Sequence, residues 1–439
     1  MQWLGWALKL SRKGGNALET QLSEIASELL DKVRQKYLDS HDFNGLHLHG
    51  EMIMPEMIKV STELLEAGLI EIVSGQDFLN IHIRPWHSRR TVQAQIDELM
   101  ELDSGDYGVC LYPTELAMKH VPLPERFENA PFLTAMARGK ATLQPAYFSA
   151  DVLETYRNDA RYRFDMSDFG INLGISDDAY EDEEEPEKDK VSLLHLGFAY
   201  DFRKAKEQDS KSQIIRRVVA FYGDLDDLTP EHQLRWASYQ VPAEGVEPHP
   251  VWYGSQMGHW PDGIGPFARL SQELGYLNEL FERVWGQPLL RTTELPEDLG
   301  WTLRSDQREW EHFVHQLDKV LSENFRHLAF DAAGVPRGDD TSQHPFGTNR
   351  RLQELMTMNH VTQEQAEWAV KPLKAVRTAR QAPAHALRKN VTDHTLVRKQ
   401  MDLLRDVNEV LINIRQWLSS HPKNKDWEEQ WPDAKDYFL

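Results

Sequence analysis

From about residue 303 to residue 418 the apolar side chains recur at spacings of three and four, and this period most restricts the fold. Trp310, Phe313, Leu317, Val320, Leu321 and Phe325 make one amphipathic stripe, predicting a helix over about 303–330. A Gly-, Pro- and Asp-rich loop follows at 334–347, then further helices over about 348–359, 363–389 and 394–418. Thr362 with Gln365 three residues on is a capping-box pattern at the start of the third. Leu396, Met401, Leu404, Val407, Val410, Leu411, Ile414 and Leu418 are the stripe of the fourth. Helices joined by short links imply an all-α four-helix bundle over 301–421.

The 439 residues are too many for one core, and upstream the pattern is different. Helices are expected over about 17–38 and 54–67. Ile70 and Ile72 then alternate with polar neighbours, Ser74–Asp77 turns, and Leu79, Ile81 and Ile83 alternate back. A helix before a hairpin makes residues 1–100 a winged-helix-like segment. The helix preceding the hairpin carries Glu56, Glu63 and Glu66 against Lys59, so a protein-contact role is expected in preference to DNA binding. Residues 101–300 read as a mixed α/β sensor or regulatory region, with buried strands near 107–112, 193–200 and 218–222. Within it, 177–190 is an acidic solvated loop and 242–268 a long irregular connection. Residues 422–439 form an aromatic and acidic tail expected to dock on the body or a partner. The fold class is therefore α+β and multidomain.

A net charge of −21 argues against broad electrostatic attraction to nucleic acid. The charge is uneven, however. Residues 371–399 hold Lys371, Lys374, Arg377, Arg380, Arg388, Lys389, Arg398 and Lys399 against Asp393 alone, so an anionic ligand should go there. No long uncharged apolar run suggests a membrane span, and Met1–Leu10 does not have the layout of a signal peptide. A single cysteine, Cys110, excludes an internal disulfide framework and a cysteine-built zinc site. The expected location is cytoplasmic.

Within the basic segment, Arg380 shares a helical stripe with Ala369, Leu373 and Val376, where an arginine needs an anionic partner. His385 follows five positions later, with Pro383 between them to kink the helix. The stretch Leu373–Leu387, with Arg380, Gln381 and His385, resembles the third helix of HEPN domains, bundle proteins whose ribonuclease members carry Arg, a polar residue, three variable residues and His. Phe313–Phe325 resembles their first helix. The resemblance covers roughly 303–420. It implies Arg380 and His385 as the catalytic pair, with Gln381 in a polar position more often held by Asn, Asp or His. The subgroup regulated by adenylylation has Tyr two residues after the His; Leu387 stands there, so that regulation is not implied.

The implied activity is metal-independent endoribonuclease cleavage, in which the RNA 2′-OH attacks the adjacent phosphate. It needs no cofactor. A near-neutral imidazole moves protons, and a guanidinium stabilises the phosphate charge. The resemblance further implies a homodimer with a composite site. Lys371, Lys374, Arg377, Arg388 and Lys389 would guide the RNA backbone. Residues 1–300 would then sense a trigger or inhibitor, a protein or phage-derived, in a bacterial antiviral, abortive-infection or toxin-like effector. The alternative is a HEPN-like bundle that dimerises or binds RNA or protein without cleaving.

Other patterns are read as structural. His47-Leu48-His49 followed by Glu51 has metal-ligand spacing, with both histidines on one side of a strand, but His82 and His87 are merely near in sequence and no third ligand is evident. Asp168-Phe169-Gly170 matches a kinase triplet in letters only. The Trp252–Trp260 aromatics are expected to pack within an irregular connection.

Overall fold

The computed structural model describes residues 22–102, 107–175, 192–203, 213–260, 263–338, 344–381, 389–430 and 435–437. The acidic tract at 177–190 thus lies outside the described residues. The chain divides into two compact units. One comprises residues 1–146, 177–193 and 220–240, the other 147–176, 194–219 and 241–439.

In the first unit α1 (Glu24–Asp39) starts where Ser23 accepts from the Ala26 amide. Its face Ala26, Leu29, Leu30 and Val33 is buried against Leu64 and Leu65 of α2 (Pro55–Glu66). These helices cover a sheet of β1 (Leu46–Leu48), β2 (Ile70–Ser74) and β3 (Val109–Pro113), antiparallel in the order β1-β3-β2. The expected hairpin does not form. β2 is present, but β3 is its partner, and α3 (Val92–Glu101) intervenes in the chain.

Residues 79–83 are no strand; Leu79 is fully exposed while Ile81 is buried. Two ionic anchors account for this. Asp77 accepts from the Ser74 amide at 3.0 Å and pairs with Arg90, tightening the turn. Arg84 is drawn inward to Glu71 at 2.8 Å and to the carbonyls of Pro113 and Gly139. A buried guanidinium with both terminal nitrogens so bonded outweighs a two-strand ribbon. The unit is completed by α4 (Glu115–Met118), α5 (Pro131–Ala137), α7 (Tyr222–Leu225) and α8 (Pro230–Ser238), with Gln233 accepting from the Phe132 and Leu133 amides at the start of α5.

Asp226, just after α7, gives this unit a pH dependence. Burial, then the charge of Asp227, pushes its carboxyl up to about 7. The folded state therefore favours the protonated form. That contribution is complete below about pH 4 and is lost as pH rises through about 7. Asp226→Asn is expected to stabilise the protein by about 1–3 kcal/mol at pH 8 and hardly at all at pH 4. Urea unfolding at the two pH values measures it, and equal effects at both would contradict the assignment.

Most of a seven-stranded sheet falls in the second unit. Its strands are β4 (Pro145–Ser149), β5 (Tyr162–Met166), β6 (Gly170–Ile175), β7 (Ser192–Asp201), β8 (Ile215–Phe221) and β9 (Gln240–Val241), in the order β5-β6-β7-β8-β4-β9. β10 (Val246–Pro248) pairs with β7. A short helix, α6 (Glu154–Arg157), precedes β5. The strands expected near 193–200 and 218–222 are β7 and β8.

The connection at 242–268 is more regular than expected. It holds β10, α9 (Pro250–Gln256), β11 (Gly263–Ile264) and the start of α10 (Pro266–Trp285). The Trp252 ring lies where a Cβ on Gly197 would stand, and its Nε1 donates to the His195 carbonyl at 2.8 Å. Asp168 caps α10 by accepting from the Phe267 and Ala268 amides, a structural use for the kinase-like triplet.

α10 lies along α16 (Leu396–Ser419). Asn408 donates to the Pro266 carbonyl at 2.8 Å, and Arg415 meets the buried Glu273 at 2.7 Å. A helix preceding residue 300 thus belongs to the helical layer that follows it, and the chain has no structural break there. The tail docks on the same pair. Arg415 also holds Glu429, Arg269 holds Asp436, and β12 (Lys435–Asp436) runs parallel to β11. No helix among the described residues is long and apolar enough to cross a membrane.

Candidate functional site

The site is assembled on α11 (Gln307–Asp318) and α15 (Lys371–Gln381), which pack together in the second unit. α11 begins at Asp306, whose side chain accepts from the Glu309 amide. The helix expected to continue to 330 is interrupted. Lys319–Glu323 is a π-helical turn, and a separate α12 (His327–Ala332) follows. Asn324 causes the exit by accepting from the Arg291 and Thr292 amides and donating to the Thr292 carbonyl, bonds that hold it outside a helix.

After α13 (Thr348–Met358), the helix expected over 363–389 is also divided, into α14 (Gln363–Ala369) and α15. The Thr362–Gln365 capping box is present at its start. Pro372 accounts for the break. It lacks an amide proton, and its ring would strike the carbonyl four residues back in a continuous helix. Placed in the first turn of a new helix, the proline is tolerated.

Leu373 and Val376 of α15 are buried, and Arg380 continues their stripe with its side chain 27% exposed. The anionic partner is Asp318, the last residue of α11, which is fully buried. One of its oxygens, Oδ2, accepts from Nη1 of Arg380 and, at 2.8 Å, from Nη1 of Arg377; Oδ1 accepts from Ser322 at 2.8 Å. Glu323, at the end of the π-helical turn, takes a second bond from Nη1 of Arg380 at 2.8 Å. Asp318, then Glu323, push the Arg380 guanidinium above its already high value, so it stays charged. Nε and Nη2 of Arg380 have no partner among the described residues.

His315, one turn before Asp318, is half-buried. Burial, then the charges of Arg380 and Lys319, depress its pKa, which favours the neutral, proton-accepting imidazole. On the α16 side of α15, Ala375 and Ala379 border an open pocket of about 440 Å³ with Trp310, Thr395, Arg398, Lys399 and Asp402. Lys399 lies 4.5 Å from the Trp310 ring centre.

The sequence-predicted residues fare differently. Arg380 stands at the α11–α15 contact, and Gln381 is exposed at the end of α15. Lys371, Lys374 and Lys389 are exposed. Arg377, expected to guide RNA, has Nη1 committed to Asp318 instead. His385, Arg388 and Pro383 lie outside the described residues. Asp318, Glu323 and His315 were not singled out. A carboxylate beside Leu317 in the apolar stripe of α11 was the available signal, since a buried acid requires a cationic partner.

Comparison with protein-family models, curated proteins and solved structures returns no match.

Proposed function

We propose that the chain is a metal-independent endoribonuclease of the HEPN type, with Arg380 and His385 as its catalytic pair. The supporting observation is the attachment of Arg380. Its Nη1 is fixed by Asp318 and Glu323 while Nε and Nη2 remain available to a phosphate. Such an anchored guanidinium meets developing charge without reorganising. His385, five residues on, would accept the 2′-OH proton and return one to the leaving 5′ oxygen, with Gln381 beside the pair. Lys371, Lys374, Lys389 and Arg388 would neutralise neighbouring phosphates. Two copies would join along this face as a homodimer, and the part of residues 1–300 outside the helical layer would restrain or trigger the activity in an antiviral or toxin-like effector.

A second reading rests on the same ion pairs. Arg380 is partnered as a purely structural arginine would be, which suits a HEPN-like bundle that dimerises or binds RNA or protein without cutting. Mixed RNA incubated with the purified chain in EDTA separates the two. The nuclease reading expects cleavage that disappears in Arg380→Ala and His385→Ala. Intact RNA, with partner binding retained in both variants, supports the second.

A further inference from the structure

The open pocket beside α15 is lined by side chains of both charges. Arg398 and Lys399 stand in the first turn of α16, and Asp402 and Asp406 follow on the same helix. Residues four apart are neighbours on a helix surface, so Arg398, Asp402 and Asp406 run along one side of α16. At a rise of about 1.5 Å per residue, Asp406 lies about 12 Å along the axis from Arg398. Lys399 is placed over the Trp310 ring, 4.5 Å from its centre. Arg398 and Asp406 are exposed and have no ion pair or hydrogen bond among the described residues. Asp402, between them, accepts from Arg405 at 3.1 Å, so Asp406 is the freer carboxylate. α15 contributes an apolar wall, since Ala375 and Ala379 present nothing larger than a methyl group.

We propose that this pocket seats one nucleotide of an RNA strand, with its phosphate on Arg398 and Lys399 and the amino group of a cytosine or adenine on Asp406. The assignment rests on the nuclease reading in taking that nucleotide to flank the phosphodiester held by Arg380. Ala379 and Arg380 are consecutive, with Cα atoms about 3.8 Å apart, so a strand crossing α15 meets the pocket and the guanidinium together.

Charge complementarity identifies the occupant. Free cations at one end and a free carboxylate two turns on suit a molecule that is anionic at one end and donates hydrogen bonds at the other. The alanine wall suits a flat body between them. A nucleotide whose base carries an exocyclic amino group has that layout. Uracil does not, because it presents the O4 acceptor where cytosine presents an N4 donor, and a carboxylate repels an acceptor. Inorganic phosphate would meet only the cationic end and be repelled by the other. The pocket volume of about 440 Å³ is in the range of small-molecule sites.

Binding of deoxyribonucleotide tetramers, which lack the attacking 2′-OH, to the full chain in EDTA tests the proposal by fluorescence anisotropy. The deoxycytidine tetramer is expected to bind at least about fivefold more tightly than the deoxyuridine tetramer, and Asp406→Ala should abolish that preference. Arg398→Gln should weaken both about tenfold, whereas Arg350→Gln, exposed on α13, should change neither. Equal affinity for the two tetramers, or undiminished binding in Arg398→Gln, would overturn the proposal. Tighter binding of cytidine 5′-monophosphate than of the tetramer would assign the pocket to a free nucleotide and overturn the RNA assignment. Failure of the nuclease reading looks different: the deoxycytidine preference would persist in a chain that cuts no RNA, leaving the pocket as an RNA-binding site. Cleavage by a chain without that preference would remove the pocket's role alone.

Discussion

Alanine at His385 is expected to slow RNA cleavage in EDTA by about a hundred- to ten-thousandfold, the range for losing a positioned proton-transfer group. Arg380→Ala is expected to cost about a hundred- to a thousandfold, as removal of a fixed donor to developing charge does. The two losses should not multiply in the double variant, because proton transfer and charge stabilisation act in one transition state. Arg380→Lys should recover little. An ammonium on Asp318 cannot also present the planar Nε–Nη2 edge to a phosphate. Single-turnover cleavage at saturating enzyme measures all four variants. Equal rates for Arg380→Lys and the unsubstituted chain would show that the arginine acts as a bare charge.

The second large effect concerns stability and isolates the structural part of the same cluster. Asp318 is fully buried and accepts from two arginines through one oxygen. Either arginine alone can hold it, so Arg377→Ala and Arg380→Ala should each cost about 1 kcal/mol or less. Removing both leaves a buried carboxylate with Ser322 alone, and the double variant is expected to lose about 3–5 kcal/mol. Asp318→Asn should cost less than the double variant, since both guanidiniums reach water and can rehydrate. A double-mutant cycle read from urea unfolding gives the coupling directly. Additive single effects would mean that the arginines do not share the carboxylate. The modest cost of the single change also lets Arg380→Ala be assayed for catalysis in a folded protein.

Much of the helical layer was legible because its stripes are long and its caps local. Thr362 and Gln365 form the capping box their spacing suggested, and the stripe from Leu396 to Leu418 is a single buried face of α16. What sequence spacing missed was decided by partners far along the chain. Pro372 sat in plain view inside a 27-residue helical expectation and divides it. Asn324 ends a helix because of amides at 291 and 292, which no local pattern announces. Ile81 and Ile83 alternate like a strand, yet Arg84 next to them turns inward to Glu71 and Gly139.

The candidate site shows the same division. The need of Arg380 for an anion was legible from its stripe, whereas the identity of that anion required α11 and α15 to be brought together.

The most direct test is the chemistry of the cut ends. RNA cleaved by the purified full chain in EDTA, analysed by mass spectrometry, is expected to carry 2′,3′-cyclic phosphate on the upstream product and 5′-hydroxyl on the downstream one, and neither should form with His385→Ala. Ends bearing 3′-hydroxyl and 5′-phosphate, or the same products from His385→Ala, would contradict the account.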